Sequence, residues 1–344
     1  GKAVMTPKIA IVGAGTRVRS TVLPAILALG DTVELAGIHS RKPRAVHLPD
    51  GCEVKTITSL EAKHFDGVDI VIVAVKPAAI RKVLDALNAV PGKKTMSVVM
   101  DTPPLRLSDL VKSRMFRGFK SVIVGEDWIK LSPILAIRDL VASGAIGDPK
   151  RITLDRMSYR YHGLATLRAL AGSRWFRSMK ATTKNGKAAY DIVTGNGVRC
   201  VTIMPRDYDN GVISVSGTTG WVSNDPDFDG EGTGHVLGFP QDPSGWHQPT
   251  TLDGTPLPSD PVEDHMASLP LAYLEDPSMI NRLKIRGYAR LIEDLIAGKV
   301  EYDITDGLYD FVATTVVERL KRFRDFGAGG GQTSLLRAVL ALRG

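Results

Sequence analysis

Cysteine is scarce in this sequence: Cys52 and Cys200 are the only two among 344 residues. Two cysteines are too few for a scaffold held together by disulfides, and neither has a Cys or His partner at the spacing of a metal site. We therefore interpret both as free thiols in a reducing, cytoplasmic environment.

Long apolar runs are absent as well. No stretch approaches the roughly 18 consecutive apolar residues that a transmembrane helix needs. Only a few unremarkable residues precede the apolar run that starts at Ile9. From this pattern we expect neither a membrane partner nor a signal peptide, in keeping with a cytoplasmic protein.

A recognisable metal site is also missing. The only suggestive group of side chains lies in a segment rich in Gly, Pro and Asp, residues 222–262, and its members have no known ligand spacing. The group consists of Asp229, Glu231, His235 and His247. A solvated loop is the favoured interpretation, so we predict no bound metal, although loops of this length are often functional.

The overall composition is ordinary, with 43% hydrophobic and 24% charged residues, which argues against disorder. At about 100–200 residues per domain, the length suggests two domains. Lys and Arg number 44 against 37 Asp and Glu, a formal net charge of +7. This mild excess suits a small anionic ligand and is weak evidence for nucleic acid. We expect a small-molecule substrate and no nucleic-acid partner.

The first 125 residues alternate between short apolar runs and helical patterns. Runs that are apolar throughout indicate strands buried on both faces, and their alternation with helices indicates a doubly wound parallel sheet. The predicted strands are residues 8–13, 33–39, 68–75, 97–100 and 121–125, with helices over 21–29 and 80–90. The fold class is therefore α/β, with an N-terminal Rossmann sheet.

The pattern then changes to strands with period-2 alternation, which is typical of an open, mainly antiparallel sheet with one solvated face. The predicted strands are residues 151–161, 198–204 and 211–217, and the predicted helices are 131–146, 285–297 and 307–323. These elements indicate a second α/β domain.

Domain boundaries follow from this change of pattern. We predict a dinucleotide-binding domain over residues 1–125, a substrate-binding and oligomerisation domain over 126–325, and a glycine joint with a C-terminal helix over 326–344. Apolar residues stand on both sides of the alternation in the predicted strands 198–204 and 211–217. They are Val198, Val201, Ile203, Val212 and Ile213. An exposed apolar face of that kind predicts a homo-oligomer.

A glycine-rich turn follows the first predicted strand, at residues 13–18 (GAGTRV). Gly13 permits a tight turn, Gly15 lets the backbone approach a diphosphate, and Thr16 and Arg17 open the helix whose N-terminus attracts anions. The alternative is a plain strand-to-helix turn that needs a positive φ. Because the turn follows the first strand of a parallel sheet, we predict dinucleotide binding.

The second predicted strand ends without the acidic residue that an NAD site usually presents to the adenine ribose. Ser40 and Arg41 stand there instead. A hydroxyl and a planar guanidinium suit a 2′-phosphate, so NADP is favoured over NAD. An ordinary basic loop is the alternative.

Ligands of an open parallel sheet bind at the carboxyl ends of its strands. In this sequence those positions hold Val75, Lys76 and Pro77, then Asp101 with Thr102, and then Glu126. We predict that they line one cleft beside the nicotinamide, with Lys76, Asp101 and Thr102 as candidate catalytic residues. Polar residues also follow strands for structural reasons, and each of these turns has that second interpretation.

His162 stands where a predicted strand meets a predicted helix, next to Tyr161. A histidine there is a plausible proton donor near neutral pH, with the tyrosine orienting the substrate. A packed or surface histidine is the alternative.

Several longer motifs resemble those of the Gfo/Idh/MocA family, the glucose–fructose oxidoreductase and inositol dehydrogenase group. They are KIAIVGAG (8–15), DIVIVAVKPAAI (69–80), VVMDTPPL (98–105), VGEDWIKLSPILAIRDLVASGAIGDP (124–149) and YARLIEDLIAGKVEYDITDGLYDF (288–311). The resemblance implies a nicotinamide-binding domain followed by an α/β domain whose open sheet covers the substrate. It also implies hydride transfer at a carbon bearing a hydroxyl, usually on a sugar or cyclitol.

The chain departs from the family at its catalytic motifs. Thr102 occupies the position of the lysine that contacts the reacting hydroxyl. Of the later Asp-x-Gly-x-His-x-x-Asp pattern only His162 matches, with Ser158, Arg160 and Ala165 elsewhere in it. Three hypotheses follow. They are an NADP-linked oxidoreductase with a modified proton relay, a ligand-binding protein without turnover, and an imine reductase or redox-neutral enzyme on the same fold.

Overall fold

The computed structural model describes residues 5–101, 115–239, 249–266, 269 and 273–325. These residues form two compact units that are discontinuous in sequence. The first combines residues 5–127 with 260–305, and the second combines 128–259 with 306–325. The domain boundaries predicted from the sequence, after residues 125 and 325, concern domains that would fold independently, and they remain a prediction. The predicted glycine joint and C-terminal helix lie outside the described residues.

The first unit contains a five-stranded sheet in which every neighbouring pair is parallel. In spatial order its strands are β2 (Glu34–His39), β1 (Lys8–Val12), β5 (Ile70–Val73), β6 (Ser97–Met100) and β7 (Ser121–Val124). All residues of β5 and β6 are buried, as runs that are apolar throughout predict. The Rossmann-like sheet is thus confirmed. The third predicted strand, residues 68–75, is shorter at both ends, because β5 covers only Ile70–Val73.

Helices and a small hairpin complete this unit. The helix after β1 starts with a π-turn at Val18–Val22 and continues as α1 (Leu23–Ala28). The wide turn ends two residues before Pro24, which has no N–H to donate to the helical ladder. The described residues also form α2 (Pro77–Asn88), α5 (Pro261–Met266), α6 (Met279–Ile296) and the hairpin of β3 (Ala45–His47) with β4 (Glu53–Lys55).

The second unit is built on a ten-stranded mixed sheet. In spatial order its strands are β16 (Thr255–Pro256), β15 (Thr251–Leu252), β14 (Thr233–Gly238), β13 (Gly220–Ser223), β12 (Val212–Gly217), β8 (Pro149–Asp155), β11 (Arg199–Ile203), β10 (Lys187–Thr194), β9 (Phe176–Lys184) and β17 (Arg322–Arg324). Only the β8–β11 and β13–β14 pairs are parallel. The mainly antiparallel second sheet is thus confirmed.

The described residues of this unit include the α-helices α3 (Ser132–Ala142), α4 (Tyr161–Ala171) and α7 (Ile304–Leu320). The first two residues of α7 lie in the other unit. The expected strand over residues 151–161 is wrong beyond Asp155. Arg156 and Arg160 have positive φ values of 56° and 44°, which end the extended conformation before α4. Three short strands, β14 to β16, occupy part of the segment expected to be a long loop.

The long hairpin of β9 and β10 was not predicted from the sequence. Its strands carry many Lys, Thr and Ala residues, so the apolar alternation is weak. Of the five residues that predicted an apolar outer face, Val198 and Ile213 are buried at 4% and 1% exposure. Val201, Ile203 and Val212 are half-buried. The apolar residues therefore do divide between a core face and a more open face of the sheet.

Candidate functional site

The glycine-rich turn after β1 has the geometry that its sequence predicts. Gly13 has a φ of 123°, and a Cβ there would lie 2.2 Å from the carbonyl oxygen of Ala74, so no larger residue fits. Its N–H donates to the carbonyl of His39 at 2.8 Å, which ties the turn to the end of β2. At Gly15 an added Cβ would meet no described atom within 4 Å. The backbone there faces open space, as a site for a diphosphate requires.

Two arginines converge on the carbonyl oxygen of Ala14 in this turn. Arg19 donates to it at 2.6 Å and Arg44 donates at 3.2 Å. Arg19 also forms a two-pronged ion pair with Glu275, whereas Arg44 is exposed. Sequence reasoning missed Arg44, although it lies in the basic segment that follows β2.

The predicted 2′-phosphate residues lie beside this turn. Ser40 is half-buried, and its N–H donates to the carbonyl of Ile57 at 3.0 Å. Arg41 is exposed and makes no hydrogen bond or ion pair with any residue that the structure describes. The end of β2 therefore presents arginines, and no carboxylate, near the glycine-rich turn.

Arg17 binds two carboxylates at the carboxyl edge of the parallel sheet. Its Nε donates to both oxygens of Asp101, at 3.1 and 3.2 Å, and its Nη2 donates to Asp127 at 3.0 Å. Asp101 follows β6 and is 5% exposed, and Asp127 follows β7 and is 1% exposed. Burial alone would lower the pKa of Arg17, but the attraction of the two carboxylates outweighs it and raises this pKa.

Tyr288 of α6 lies against the same cluster, and sequence reasoning gave it no role. The Arg17 guanidinium is 5.5 Å from the centroid of its ring. Burial, reinforced by the charge of Asp101, raises the pKa of the Tyr288 phenol well above its usual value. The hydroxyl has no hydrogen-bond partner among the described residues, and a Cβ at Gly125 would lie 3.0 Å from it. Tyr288 is therefore a neutral phenol in a tightly packed position.

The other predicted residues of this edge have varied surroundings. Glu126, between Gly125 and Asp127, is completely buried. Val75 is half-buried, and Pro77 is the first residue of α2. Lys76 is exposed and precedes α2, with no hydrogen bond or ion pair to the described part of the chain. Thr102 lies outside the described residues. The structure thus brings Arg17, predicted for the turn, to Asp101.

His162 and Tyr161 occupy the first turn of α4 in the second unit. Their rings are 4.6 Å apart between centroids, and both side chains are half-buried. The His162 N–H donates to the carbonyl of Tyr159 at 3.1 Å, which fixes a tight turn before the helix. The imidazole is thus near the protein surface on a rigid element, as a proton donor or acceptor needs to be.

The candidate metal group does not converge in the described residues. His235 pairs through Nδ1 with Asp253 at 2.9 Å, and Asp253 also accepts the N–H of Val236. Within the described ranges, no three His, Cys, Asp or Glu side chains are grouped as metal ligands would be. His247 lies outside those ranges. Among the helices that the structure describes, none has the length and apolarity needed to cross a membrane.

The chain is similar to one family model over its N-terminal part and to solved structures over nearly its whole length. A family model described as "NADP oxidoreductase coenzyme F420-dependent" matches residues 8–102. No curated protein matches the sequence. Solved structures match over nearly the whole chain at low sequence identity. One is an oxidoreductase from Agrobacterium radiobacter in complex with NAD+, L-tartaric acid and magnesium. It is 15% identical, with a TM-score of 0.61, and the match covers 93% of this chain and 98% of that one.

This chain has the fold of the inositol dehydrogenases. The myo-inositol dehydrogenase of Corynebacterium glutamicum ATCC 13032 is 13% identical, with a TM-score of 0.60, and the match covers 94% of this chain and 100% of that one. The apo scyllo-inositol dehydrogenase of Lactobacillus casei is 13% identical, with a TM-score of 0.60 and coverages of 93% and 98%. The resemblance drawn from the motifs is confirmed at the level of this inositol dehydrogenase fold, in both the parallel and the mixed sheet.

Proposed function

We propose that this protein is an NADP-dependent oxidoreductase. It transfers a hydride between the nicotinamide and a carbon that bears a hydroxyl or carbonyl group on a small polar, sugar- or cyclitol-like substrate. The observation that carries the proposal is the turn after β1. The position of Gly13 has no room for a side chain, while Gly15 faces open space. The inositol dehydrogenase fold and the NAD+ complex of a structural neighbour support it.

The residues present fit a nicotinamide dinucleotide. Gly13, Gly15, Thr16 and Arg17 would form the turn that holds the diphosphate, with the N–H groups of the following helix directed at the anion. Val75, Lys76, Pro77 and Glu126 would line the remainder of the cofactor site. When bound, the cofactor supplies or accepts the hydride, and the protein supplies orientation and proton transfer.

The preference for NADP over NAD belongs to the same proposal. No carboxylate follows β2, and four polar or cationic side chains lie there instead: Ser40, Arg41, Lys42 and Arg44. A guanidinium pairs with a phosphate more strongly than with a neutral ribose hydroxyl, because the hydrogen bonds are charge-assisted.

Proton transfer is assigned to His162, with Tyr161 orienting the substrate. The ion pairs of Asp101 leave it poorly suited to act as a free acid or base, so we assign it the positioning of Arg17. Lys76 is the exposed cation that follows β5, and we propose that it supplies the positive charge which a lysine at the position of Thr102 would provide.

A ligand-binding protein without turnover is the second candidate. Thr102 stands where the resemblance places a catalytic lysine, and the Arg17–Asp101 pair neutralises charge at the sheet edge. An imine reductase or a redox-neutral enzyme with bound nicotinamide would also keep the dinucleotide turn without that lysine.

The proposal extends to a cytoplasmic homo-oligomer assembled through the more open face of the mixed sheet. Val201, Ile203 and Val212 are half-buried on that face. Light scattering at micromolar concentration tests the assembly, and a strict monomer of 37.1 kDa contradicts it.

Two measurements test the proposed function. NADPH and NADH are titrated by fluorescence, and tighter binding of NADPH is expected. A panel of small carbonyl compounds is then added to the protein with NADPH, and the absorbance at about 340 nm, the reduced-nicotinamide band, is followed. Oxidation of NADPH that depends on one compound supports the oxidoreductase. Binding of NADPH without any turnover favours the second candidate, and failure to bind either dinucleotide rejects both.

A further inference from the structure

Arg206 lies between two tyrosine rings on the second unit. Its guanidinium carbon is 4.9 Å from the centroid of Tyr159 and 5.8 Å from the centroid of Tyr208. Tyr208 in turn packs against Trp128, with 5.2 Å between ring centroids, and Trp128 is only 3% exposed. Arg206 is therefore held at the surface by two aromatic faces, one from Tyr208, which packs against the buried Trp128, and one from the exposed Tyr159.

The polar edge of Arg206 is free to bind a ligand. Arg206 is exposed and forms no hydrogen bond or ion pair with the residues that the structure describes. Stacking on an aromatic face engages the flat side of a guanidinium and leaves its N–H groups pointing outward in the plane. These N–H groups match the two oxygens of a carboxylate or the oxygens of a phosphate.

Two neighbouring arginines differ from Arg206, because carboxylates of the protein itself lie close to their guanidinium groups. Arg156 donates to Asp155 and Asp207 and to the carbonyl of Asn210, so its charge is balanced within the protein. Arg160 also stacks on Tyr159, at 5.4 Å, but it faces Glu318 at 3.8 Å. Arg206 has the same aromatic support and lacks such a carboxylate.

The stack adjoins the turn that carries His162. The Tyr159 carbonyl accepts the N–H of His162, so the two residues belong to one turn. Between them Arg160 has φ 44° and ψ −126°, a strained conformation for a residue with a side chain. Such strained backbone conformations are concentrated at functional sites.

We propose that Arg206, braced by Tyr159 and Tyr208, binds an oxyanionic group of the substrate. This inference rests on the proposed function and narrows its substrate class from small polar, sugar- or cyclitol-like molecules to sugar acids or sugar phosphates. Both sources offer the same chemistry, two or three oxygens that share negative charge. The group would bind on the turn that holds the candidate proton donor, so it would place the reacting end of the substrate relative to His162.

Three probes that share one sugar ring test the proposal: D-glucuronate, D-glucose 6-phosphate and neutral D-glucose. Their binding to the protein saturated with NADPH is measured by calorimetry. At least one anion is expected to bind at least tenfold more tightly than D-glucose, and the stronger of the two distinguishes a carboxylate from a phosphate. Equal or weaker binding of both anions, or no saturable binding of either, overturns the proposal.

Variants of Arg206 distinguish recognition by its planar guanidinium group from attraction by positive charge alone. Arg206→Gln is expected to weaken binding of the preferred anion by about 10- to 100-fold, the range for hydrogen bonds to a charged group. Arg206→Lys should recover only part of the loss, because an ammonium group lacks the planar fork. Arg322→Gln is the matched control, since Arg322 is exposed on β17 of the same unit and should change nothing. Equal losses in the Arg206 and Arg322 variants would show that only general charge attracts the anion and would overturn the assignment.

NADPH affinity, measured by fluorescence, shows whether a negative result contradicts only the anion site at Arg206 or the proposed function as a whole. The Arg206 variants should bind NADPH as the unmodified protein does. If NADPH binds and a neutral polyol is turned over while Arg206→Gln changes neither anion binding nor KM, this inference is wrong and the oxidoreductase stands. If NADPH does not bind at all, the proposed function itself fails.

Discussion

The Nε of Arg17 donates a bifurcated hydrogen bond to both carboxylate oxygens of Asp101, which lies 84 positions away in the sequence. Asp127, which is almost fully buried, shares the same guanidinium. Removing the arginine would take away the cation that these two buried carboxylates share. Arg17→Met is therefore expected to lower the free energy of unfolding by about 3–5 kcal/mol near neutral pH. Urea unfolding measures the change.

Two comparisons control this prediction. Arg19→Met removes an ion pair whose partners, Arg19 and Glu275, are 31% and 42% exposed, so it should cost about 1 kcal/mol or less. Adding Asp101→Asn and Asp127→Asn to Arg17→Met should recover part of the lost stability, because the two negative charges that Arg17 balances are then removed as well. A loss below 1 kcal/mol in Arg17→Met would show that the pair has no structural role.

Gly13 and Gly15 should respond differently to the same substitution. Gly13→Ala forces a Cβ against the Ala74 carbonyl at a φ of 123°, so it should destabilise the protein by about 3 kcal/mol or more. Gly15→Ala adds a methyl group into open space, so stability should change by less than about 1 kcal/mol. NADPH affinity should nevertheless fall about tenfold or more, or about 1.4 kcal/mol, because the methyl group keeps the diphosphate away from the backbone. Unfolding curves and fluorescence titrations check both, and unchanged NADPH affinity in Gly15→Ala contradicts the proposed diphosphate site.

Cofactor choice should depend on the arginines that follow β2. Arg41→Ala and Arg44→Ala are each expected to weaken NADPH binding by about 1.5–3 kcal/mol, the range for a hydrogen bond to a charged group. NADH binding should hardly change, since NADH lacks the 2′-phosphate. Lys82→Ala, an exposed cation on α2, is the control. Equal losses for both cofactors would mean that these arginines contact the shared diphosphate, and the preference for NADP would have another source.

His39 should make stability depend on pH. It is 2% exposed, stacks on Phe65 at 4.7 Å, and donates from Nδ1 to the Ser59 carbonyl at 3.1 Å. Burial lowers its pKa below the usual value of 6.5, the Ser59 carbonyl partly opposes this shift, and nearby His64 adds to it. The unfolded chain therefore takes up a proton before the folded protein does. Stability is fully present above pH 6.5 and falls as the pH decreases from 6.5 through the folded-state pKa.

Denaturant unfolding at a series of pH values checks this prediction. The slope that His39 contributes can reach at most about 1.4 kcal/mol per pH unit. His39→Gln should remove that part of the slope while the contribution of the carboxylates remains. Identical slopes for the two proteins between pH 7 and pH 5 would show that His39 is protonated equally in both states.

His162 is expected to carry the proton transfer. Once a substrate is identified, His162→Ala should lower turnover by about 10²–10⁴-fold, the usual contribution of general acid–base catalysis. Lys76→Ala should lower it to a smaller extent, since Lys76 is proposed to stabilise charge on the substrate oxygen. NADPH affinity, measured separately, should be unchanged by His162→Ala. Normal turnover in that variant would transfer the role to Tyr159, Tyr161 or Glu126.

The sequence alone determined the parallel sheet and the turn after its first strand. Strands buried on both faces need apolar residues at every position, and the turn needs a glycine where no Cβ fits. Both features can therefore be predicted from the residues of one short segment. Residues 151–161 and the hairpin of β9 and β10 were harder to predict. Positive φ values at two arginines ended the first element, and polar residues weakened the alternation in the second.

Only the tertiary structure decided which side chains meet. Arg17 lies in a turn that predicted diphosphate binding, yet its guanidinium pairs with Asp101 and Asp127, which follow two other strands. Arg44 reaches back 30 residues to Ala14, and Arg206 stacks on Tyr159. The physical reason is that each contact depends on long side chains whose rotamers are selected by packing between distant segments. Local propensity and spacing contain no information about that choice.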